Sequence, residues 1–406
     1  MSNQNWEIKN LGEVCDLSTG GTPSRSHPEY FNNGTIKWLV SGDIHRKEIF
    51  DCDGRITEEG HRNSSTRYLP LNSVMIALNG QGKTRGTVAL LRTKAMCNQS
   101  LVSISPKDSD VLSCEYLYRV LDGRYEELRK MTGDAGNERR GLNMPLIRSV
   151  SITVPPLSEQ KRIVGILDEK FKAIEELKKV TEAQIQDAKE LFESRLNEIM
   201  ENPDGDWMHE TVDDVAEVKG GKRIPKGEKL TKVVTGHPYI RVADFDHQGS
   251  VSLEDMNYIS DDIFDKISRY TITDKDLFIS IAGTIGISGI VPPKLSGANL
   301  TENACKLVLK KVINIRYLLY FTRSKSFQEQ AGLFTRTTAQ PKLALTRIKT
   351  MNFTYPAEIF TQTKLVEELD ILEEKSNDLE SIFIKKIKGL EELKKSYLEQ
   401  AFAGKL

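Results

Sequence analysis

The sequence predicts an α+β protein: two mixed α/β globular domains joined by two long helices that pair as a coiled-coil spacer, all on an internal pseudo-two-fold repeat. Three observations carry that expectation. The chain of 406 residues matches itself at an offset of about 200. Short β-rich runs broken by Gly, Pro, Asn and Ser fill most of each copy. Each copy then ends in a long stretch dense in Glu, Lys, Ala and Leu.

The repeat runs the length of the chain. Trp6 matches Trp207, Glu13-Val14 matches Asp214-Val215, Leu39 matches Ile240 and Asp43 matches Asp244. Val74 through Gly80 matches Leu277 through Gly283, Tyr116-Leu117 matches Tyr317-Leu318, and Ile147 matches Ile348. Pro155 matches Pro356, and Gln160 through Asp168 matches Gln362 through Asp370. A period this long is a duplicated large unit, not a solenoid array.

Within the first copy, residues 1–157 mix β-rich runs (Val74 to Leu78, Thr87 to Leu91, Leu101 to Ser105) with turn formers, the texture of a mixed globular domain. After Pro155-Pro156 the texture changes. Residues 158–200 contain no proline, Ser158 is a candidate N-cap, and apolar residues recur in steps of three and four. That stripe is Ile163, Leu167, Phe171, Ile174, Leu177, Ile185, Phe192, Leu196 and Ile199. Residues 201–359 repeat the globular texture. Residues 360–406 repeat the helix, with Leu365, Leu369, Leu372, Leu379, Phe383, Leu390, Leu393 and Tyr397 on one stripe. A helix of ~40 residues is roughly 60 Å long and cannot bury its stripe within itself. The other copy is the nearest equivalent partner.

Composition narrows the function classes. Hydrophobic residues make up 38%, charged residues 28%, and the net charge is −1. No apolar run approaches the ~18 residues of a bilayer helix, and the first residues show no secretory signal, so no membrane contact is expected. Cys15, Cys52, Cys97, Cys114 and Cys305 are scattered and never spaced as CxxC, which points to a reduced cytoplasmic setting without disulfides or a zinc cage. A balance near zero argues against indiscriminate coating of nucleic acid. By segment, however, the helices are net acidic and the globular segments slightly basic.

The cations cluster in polar loops: Lys83-Thr84-Arg85 between glycines, Arg139-Arg140 in Gly133 to Asn143, and Arg336-Thr337-Thr338-Ala339-Gln340-Pro341-Lys342 at the same place in the second copy. Such residues contact phosphate oxygens and base edges, although each loop alone also reads as ordinary surface. Catalytic motifs are absent. Ala77 stands where a phosphate-binding loop needs its first glycine, and a strand rather than a helix follows Thr84. Pro203-Asp204 followed by Glu217-Val218-Lys219 has a nuclease-like spacing that the first copy lacks. Neither Pro-Pro pair has the Asn/Asp-Pro-Pro-aromatic pattern of adenine methylation, the histidines lack ligand spacing, and no GxSxG occurs. The chain is expected to catalyse nothing.

Trp6 through Gly21 with its echo at Trp207 through Gly221, Leu78 through Thr87 with Cys97 through Leu101, Asp276 through Gly286, Val154 through Gln160, and Leu390 through Phe402 form an ordered, duplicated set. In that set the chain resembles the specificity (S) subunit of Type I restriction–modification systems over essentially its whole length. At the second helix start Phe360-Thr361-Gln362 departs from the Glu159-Gln160 pair of the first. The resemblance implies two target-recognition domains, 1–157 and 201–359, each reading one half of a bipartite site on double-stranded DNA. It also implies two antiparallel spacer helices, 158–200 and 360–406, that set the gap and dock two modification subunits. Restriction subunits would complete the complex. S-adenosylmethionine, ATP and Mg would belong to those partners, with no cofactor or metal on this chain. The candidate DNA-contacting residues are Lys83, Thr84, Arg85, Arg139, Arg140, Asn143, Thr284, Arg336, Thr337, Gln340 and Lys342. The candidate pairing and partner-docking residues are Ile163, Leu167, Phe171, Ile174, Leu365, Leu369, Leu372, Leu390, Leu393 and Tyr397. The alternative is a protein-interaction adaptor with a coiled-coil scaffold, from which equivalent polar, basic loops in both copies distinguish the DNA reader.

Overall fold

A computed structural model describes residues 6–80, 82–131, 141–201, 206–246, 249–333 and 342–406. The chain forms two compact units: Met1–Thr181 with Lys385–Leu406, and Glu182–Ile384. Each unit therefore takes half of each long helix, whereas the sequence segments set the helices apart from the globular parts.

The first unit contains β1 (Glu7–Asn10), β2 (Cys15–Thr19), β3 (Ile36–Leu39), β4 (Glu48–Ile49), β5 (Arg55–Ile56), β6 (Val74–Ala77), β7 (Val88–Leu91), β8 (Met96–Cys97), β9 (Leu101–Pro106) and β10 (Ser151–Val154). A five-stranded sheet has the order β2-β9-β6-β7-β4, a three-stranded sheet the order β5-β3-β8, and β1 pairs with β10. The runs in β6 and β7 are continuously apolar because both faces of the sheet are covered. Alternate side chains point to opposite faces, so Val74, Ile76, Val88 and Leu90 enter one core while Met75, Ala77, Ala89 and Leu91 enter another. The first of these cores also contains helix Cys114–Gly123, whose N-cap Ser113 accepts the Tyr116 N–H at 3.1 Å.

The second unit repeats this plan with β11 (Trp207–Thr211), β12 (Ala216–Gly220), β13 (Pro238–Ile240), β14 (Asn257–Tyr258), β15 (Thr271–Ile272), β16 (Leu277–Ser280), β17 (Ser288–Ile290), β18 (Ala298–Leu300), β19 (Ala304–Leu309) and β20 (Asn352–Pro356). The sheet orders are β12-β19-β16-β17 and β14-β13-β18-β15, with β11 on β20. In the first unit Ile8 faces Thr153, and in the second His209 faces Thr354 at the equivalent positions.

The first long helix spans Leu157–Glu201 and the second Ile359–Phe402. Ser158, expected as the N-cap, lies inside the first turn. The Pro156 carbonyl instead accepts the Glu159 N–H at 2.9 Å, because proline's fixed φ suits the start of a helix. The helices run antiparallel. In the first unit Lys178 pairs with Glu391 at 3.0 Å, and Arg162 donates to the Leu406 carbonyl at 2.8 Å. In the second, Lys189 pairs with Glu380 at 2.9 Å and Arg195 with Glu368 at 2.7 Å.

The stripes pack against more than each other. Ile163, Leu167, Phe171 and Ile174 share a core with Leu390, Leu398, Ala401 and the sheet of the first unit. Phe192, Leu196, Ile199 and Met200 do the same with Val366, Leu369 and the second unit's sheet. Each such burial contributes roughly 1.5–3 kcal/mol before ordering entropy is charged against it. The five cysteines are free and buried. Burial pushes the thiols of Cys15, Cys97, Cys114 and Cys305 up to about 12, so they are apolar core groups rather than nucleophiles.

One difference between the two units lies at a pair of equivalent positions in and beside the sheet. In the first unit Ser73 and Ser103 are buried, and the Ser103 hydroxyl has no partner among the described residues. In the second these are Asp276 and Lys306, paired at 2.8 Å, with Asp276 also accepting the Thr273 N–H at 2.9 Å. Lys306→Met strands a buried carboxylate and is expected to lower stability by about 3–5 kcal/mol, whereas the double substitution Asp276→Ser with Lys306→Ser recovers much of the loss. Urea denaturation checks this; a double variant as unstable as the single one would contradict it.

Candidate nucleic-acid interface

The apolar run of β6 stops at Asn79, and the chain turns on glycine. Gly80, Gly82 and Gly86 have φ of 138°, 61° and 83°, backbone that L side chains rarely adopt, and a Cβ on Gly80 would lie 2.6 Å from that of Thr84. Side chains far away in sequence hold the loop. Arg129 donates to the Gly82 carbonyl at 2.6 Å and to the Tyr125 hydroxyl at 2.8 Å, and Tyr125 donates to the Lys83 carbonyl at 3.2 Å. His45 Nε2 lies 3.1 Å from the Thr84 hydroxyl. Lys83 points to solvent, while Thr84 and Arg85 are half-buried. Arg85 Nε is buried with no hydrogen-bond partner among the described residues, a donor whose desolvation is uncompensated.

The Leu142 N–H donates to the Leu78 carbonyl at 2.9 Å, which brings exposed Asn143 to the base of this loop. Asn143 Oδ1 accepts the Leu146 N–H at 2.9 Å as the cap of helix Met144–Arg148. Its amide donors, but not that lone pair, are left for other contacts.

The second unit builds the same arrangement from different residues. Gly283 and Gly286 have φ of 80° and 89°. Ser280 donates to the Thr284 carbonyl at 2.6 Å, and Gln328 donates to the Gly286 carbonyl at 3.0 Å. The Leu343 N–H donates to the Ile281 carbonyl at 2.9 Å, and Lys342 bridges to Ala282. Exposed Thr284 thus lies two residues beyond the Ala282 that bridges to exposed Lys342, and in the first unit exposed Lys83 lies in the loop that follows Leu78, to which the segment of exposed Asn143 is joined. Arg139, Arg140, Arg336, Thr337 and Gln340 lie outside the described residues. Tyr125, Arg129, Gln328 and His45 were not singled out by sequence reasoning; their contacts span dozens of residues, and no local periodicity marks them.

Glu217, the carboxylate of the nuclease-like spacing, is exposed on β12 and bonded to Lys219 at 2.8 Å, which holds it below the usual carboxylate range. Pro203 and Asp204 lie outside the described residues. No cluster of three or more His, Cys, Asp or Glu that could hold a metal occurs among the described residues, and none of the described helices is long and apolar enough to cross a membrane.

Of the helix residues, Ile163, Leu167, Phe171, Ile174, Leu369 and Leu390 are buried, Leu365, Leu372 and Tyr397 are half-buried, and Leu393 is exposed. A second apolar set faces solvent: Leu177, Val180 and Leu393 in the first unit, and their repeat equivalents Leu379, Ile382 and Leu191 in the second, all between 41% and 60% exposed.

The structure makes the first loop depend on Arg129. Arg129→Ala is expected to speed tryptic cleavage after Lys83 or Arg85 by about tenfold or more, because local opening becomes easier. Cleavage rates equal to those of the unaltered protein would show that the loop holds its shape without that side chain.

Both copies match one family model, described as the Type I restriction modification DNA specificity domain, over residues 3–186 and 204–389. The EcoR124I/EcoR124II specificity subunit of Escherichia coli is 31% identical over 163 residues, 40% of this chain and 40% of that one. The MjaIX specificity subunit of Methanocaldococcus jannaschii is 26% identical, and the match spans 55% of each chain. The chain thus spans only about half of these relatives or less. The MjaVIII specificity subunit of the same archaeon is 22% identical over 99% of this chain and 93% of that one. Among solved structures, a chain described with complex assembly of the type I R-M system superposes with a TM-score of 0.80 at 17% identity, covering 99% of this chain and 98% of that one. The HsdS subunit from Thermoanaerobacter tengcongensis does so with a TM-score of 0.59 at 17% identity, covering 100% and 98%. At that identity the likeness is one of fold.

Proposed function

The chain belongs to the Type I restriction modification DNA specificity domain family, and on that premise we propose that it is the non-catalytic specificity subunit of a Type I restriction–modification complex. The carrying observation is the rim built twice: one glycine-turned loop and one incoming segment in each unit, on the same backbone plan but with different polar residues. Each unit reads one half of a bipartite site on double-stranded DNA. Because both copies lie in one chain, they are free to diverge and read different half-sites. Lys83 and Arg85 serve the first half, and Thr284 and Lys342 the second. Each good bidentate contact to a base contributes ~1–3 kcal/mol of discrimination. The near-zero net charge fits a subunit whose own electrostatic grip is weak and whose partners share the DNA.

The helices set the gap between half-sites and dock two modification subunits. Two equivalent exposed apolar sets, Leu177, Val180 and Leu393 and then Leu379, Ile382 and Leu191, support two copies of one partner, since the same surface is offered once per unit. S-adenosylmethionine and the adenine chemistry belong to those subunits. ATP, Mg, translocation and cleavage belong to restriction subunits. The polar, basic rims favour this reading over a DNA-free adaptor.

Mapping methylated adenines in cells that express the complex is expected to return two half-sites at one fixed gap, and Lys83→Ala with Arg85→Ala to relax one half only. A contiguous site would overturn the bipartite reading. Inserting four residues into the first long helix adds about 6 Å and should lengthen the preferred gap; an unchanged gap would mean that the helix is not the ruler. Leu177→Glu or Leu379→Glu should each reduce the modification subunits recovered with the chain from two to one, as native mass spectrometry would register. Two subunits retained in both variants would exclude these sets as docking surfaces.

A further inference from the structure

Beside the apolar packing of its stripe, each long helix makes polar contacts with its unit at two points that the repeat keeps in the same places. The first is a buried glutamine in the opening turns. Gln160 accepts the Ser113 N–H at 2.8 Å and donates to the carbonyls of Val111 and Pro155 at 2.8 Å. Gln362 likewise accepts the Asn314 N–H and donates to the Pro356 carbonyl, both at 2.8 Å. The second point is an aspartate eight residues on, about 12 Å along the helix. Asp168 accepts from Arg119, whose Nε lies 3.1 Å away and whose guanidinium also covers Phe171. Asp370 accepts from the Tyr320 hydroxyl and from Arg316, each at 2.5 Å.

The second contact is retained although its chemistry changed. Arg119 and Tyr320 occupy equivalent positions on equivalent helices, and both reach the equivalent aspartate. Where Tyr320 replaced the guanidinium, Arg316 supplies one from a turn earlier. Burial, reinforced by Asp370 and Glu373, raises the Tyr320 hydroxyl well above its ordinary value, so it stays a donor at any physiological pH. Stability is the weaker reason for the contact: Arg119 and Tyr320 are largely buried, but the Asp168 side chain is 53% exposed and that of Asp370 38%, so water screens the carboxylates. Geometry is a better one: the apolar packing of the stripe is non-directional, whereas two directed polar contacts two turns apart define an angle.

We infer that Asp168 and Asp370 are positioning residues that fix the angle of each unit on its helix, so that the gap between half-sites depends on two docking angles as well as on helix length. The inference rests on the bipartite reading above. The test uses the whole complex with its modification partners and maps methylated sites for wild type, Asp168→Ala with Asp370→Ala, Tyr320→Phe, and the conservative Asp168→Glu with Asp370→Glu. The alanine pair should methylate the same two half-site sequences but accept gaps one base pair longer or shorter at about ten times the wild-type relative frequency, with a melting temperature within a few degrees of wild type. Tyr320→Phe should show a weaker form of the same relaxation, and the glutamate pair should restore the strict gap. A gap as strict in the alanine pair and in Tyr320→Phe as in wild type would overturn the inference, and so would loss of half-site sequence while the gap stays fixed. If the wild-type complex itself shows no bipartite site, the proposed function fails instead.

Discussion

Ile163, Leu167, Phe171 and Ile174 on one part of the first long helix, and Phe192, Leu196, Ile199 and Met200 on another, lie on one apolar stripe that the helix cannot cover by itself. Covering it is the constraint on which the rest of the structure depends. Each stretch is covered by a sheet-backed domain together with a length of the second long helix. The helix is therefore part of the core of both units, and neither unit is complete without it. That sharing explains why the compact units cut across the helices instead of ending where the helical texture begins.

A helix that belongs to a domain's core transmits that domain's position. Buried amides at Gln160 and Gln362 and outer contacts at Asp168 and Asp370 tie each sheet-backed domain to a defined face of its helix. The rims sit at the far ends of β6 and β16, strands whose alternate side chains enter two different cores, so their bases are packed on both faces. Loop residues can then vary without disturbing the scaffold, because the residues that hold the loops are separate from those the loops expose.

Much of the architecture was legible in the chain. Duplication, the two textures within each copy and the helical stripes need only composition and periodicity, because spacings of two and of three to four residues are set by the geometry of strands and helices. The candidate site was partly legible. Lys83 and Arg85 stand out as cations among glycines, with Thr84 between them, and Thr284 through its repeat position. The clamp from Tyr125 and Arg129 was hidden, because nothing local distinguishes a tyrosine and an arginine on one helix face from ordinary surface. Gln160 and Asp168 bounded the matching segment in the sequence, yet their function as anchors became visible only with Ser113 and Arg119 beside them.

The sequence by itself determined that the protein is two related α+β units with paired long helices and no catalytic motif, since duplication and hydrophobic period are properties of the chain. Tertiary structure decided which stripe residues are core and which face solvent. Leu177 and Ile174 belong to the same helical pattern, but only Ile174 meets the sheet-backed core. It also decided that the loop after β6 and the segment leading into Asn143 share a rim, because a backbone hydrogen bond between Leu142 and Leu78 joins residues whose separation along the chain gives no hint of it.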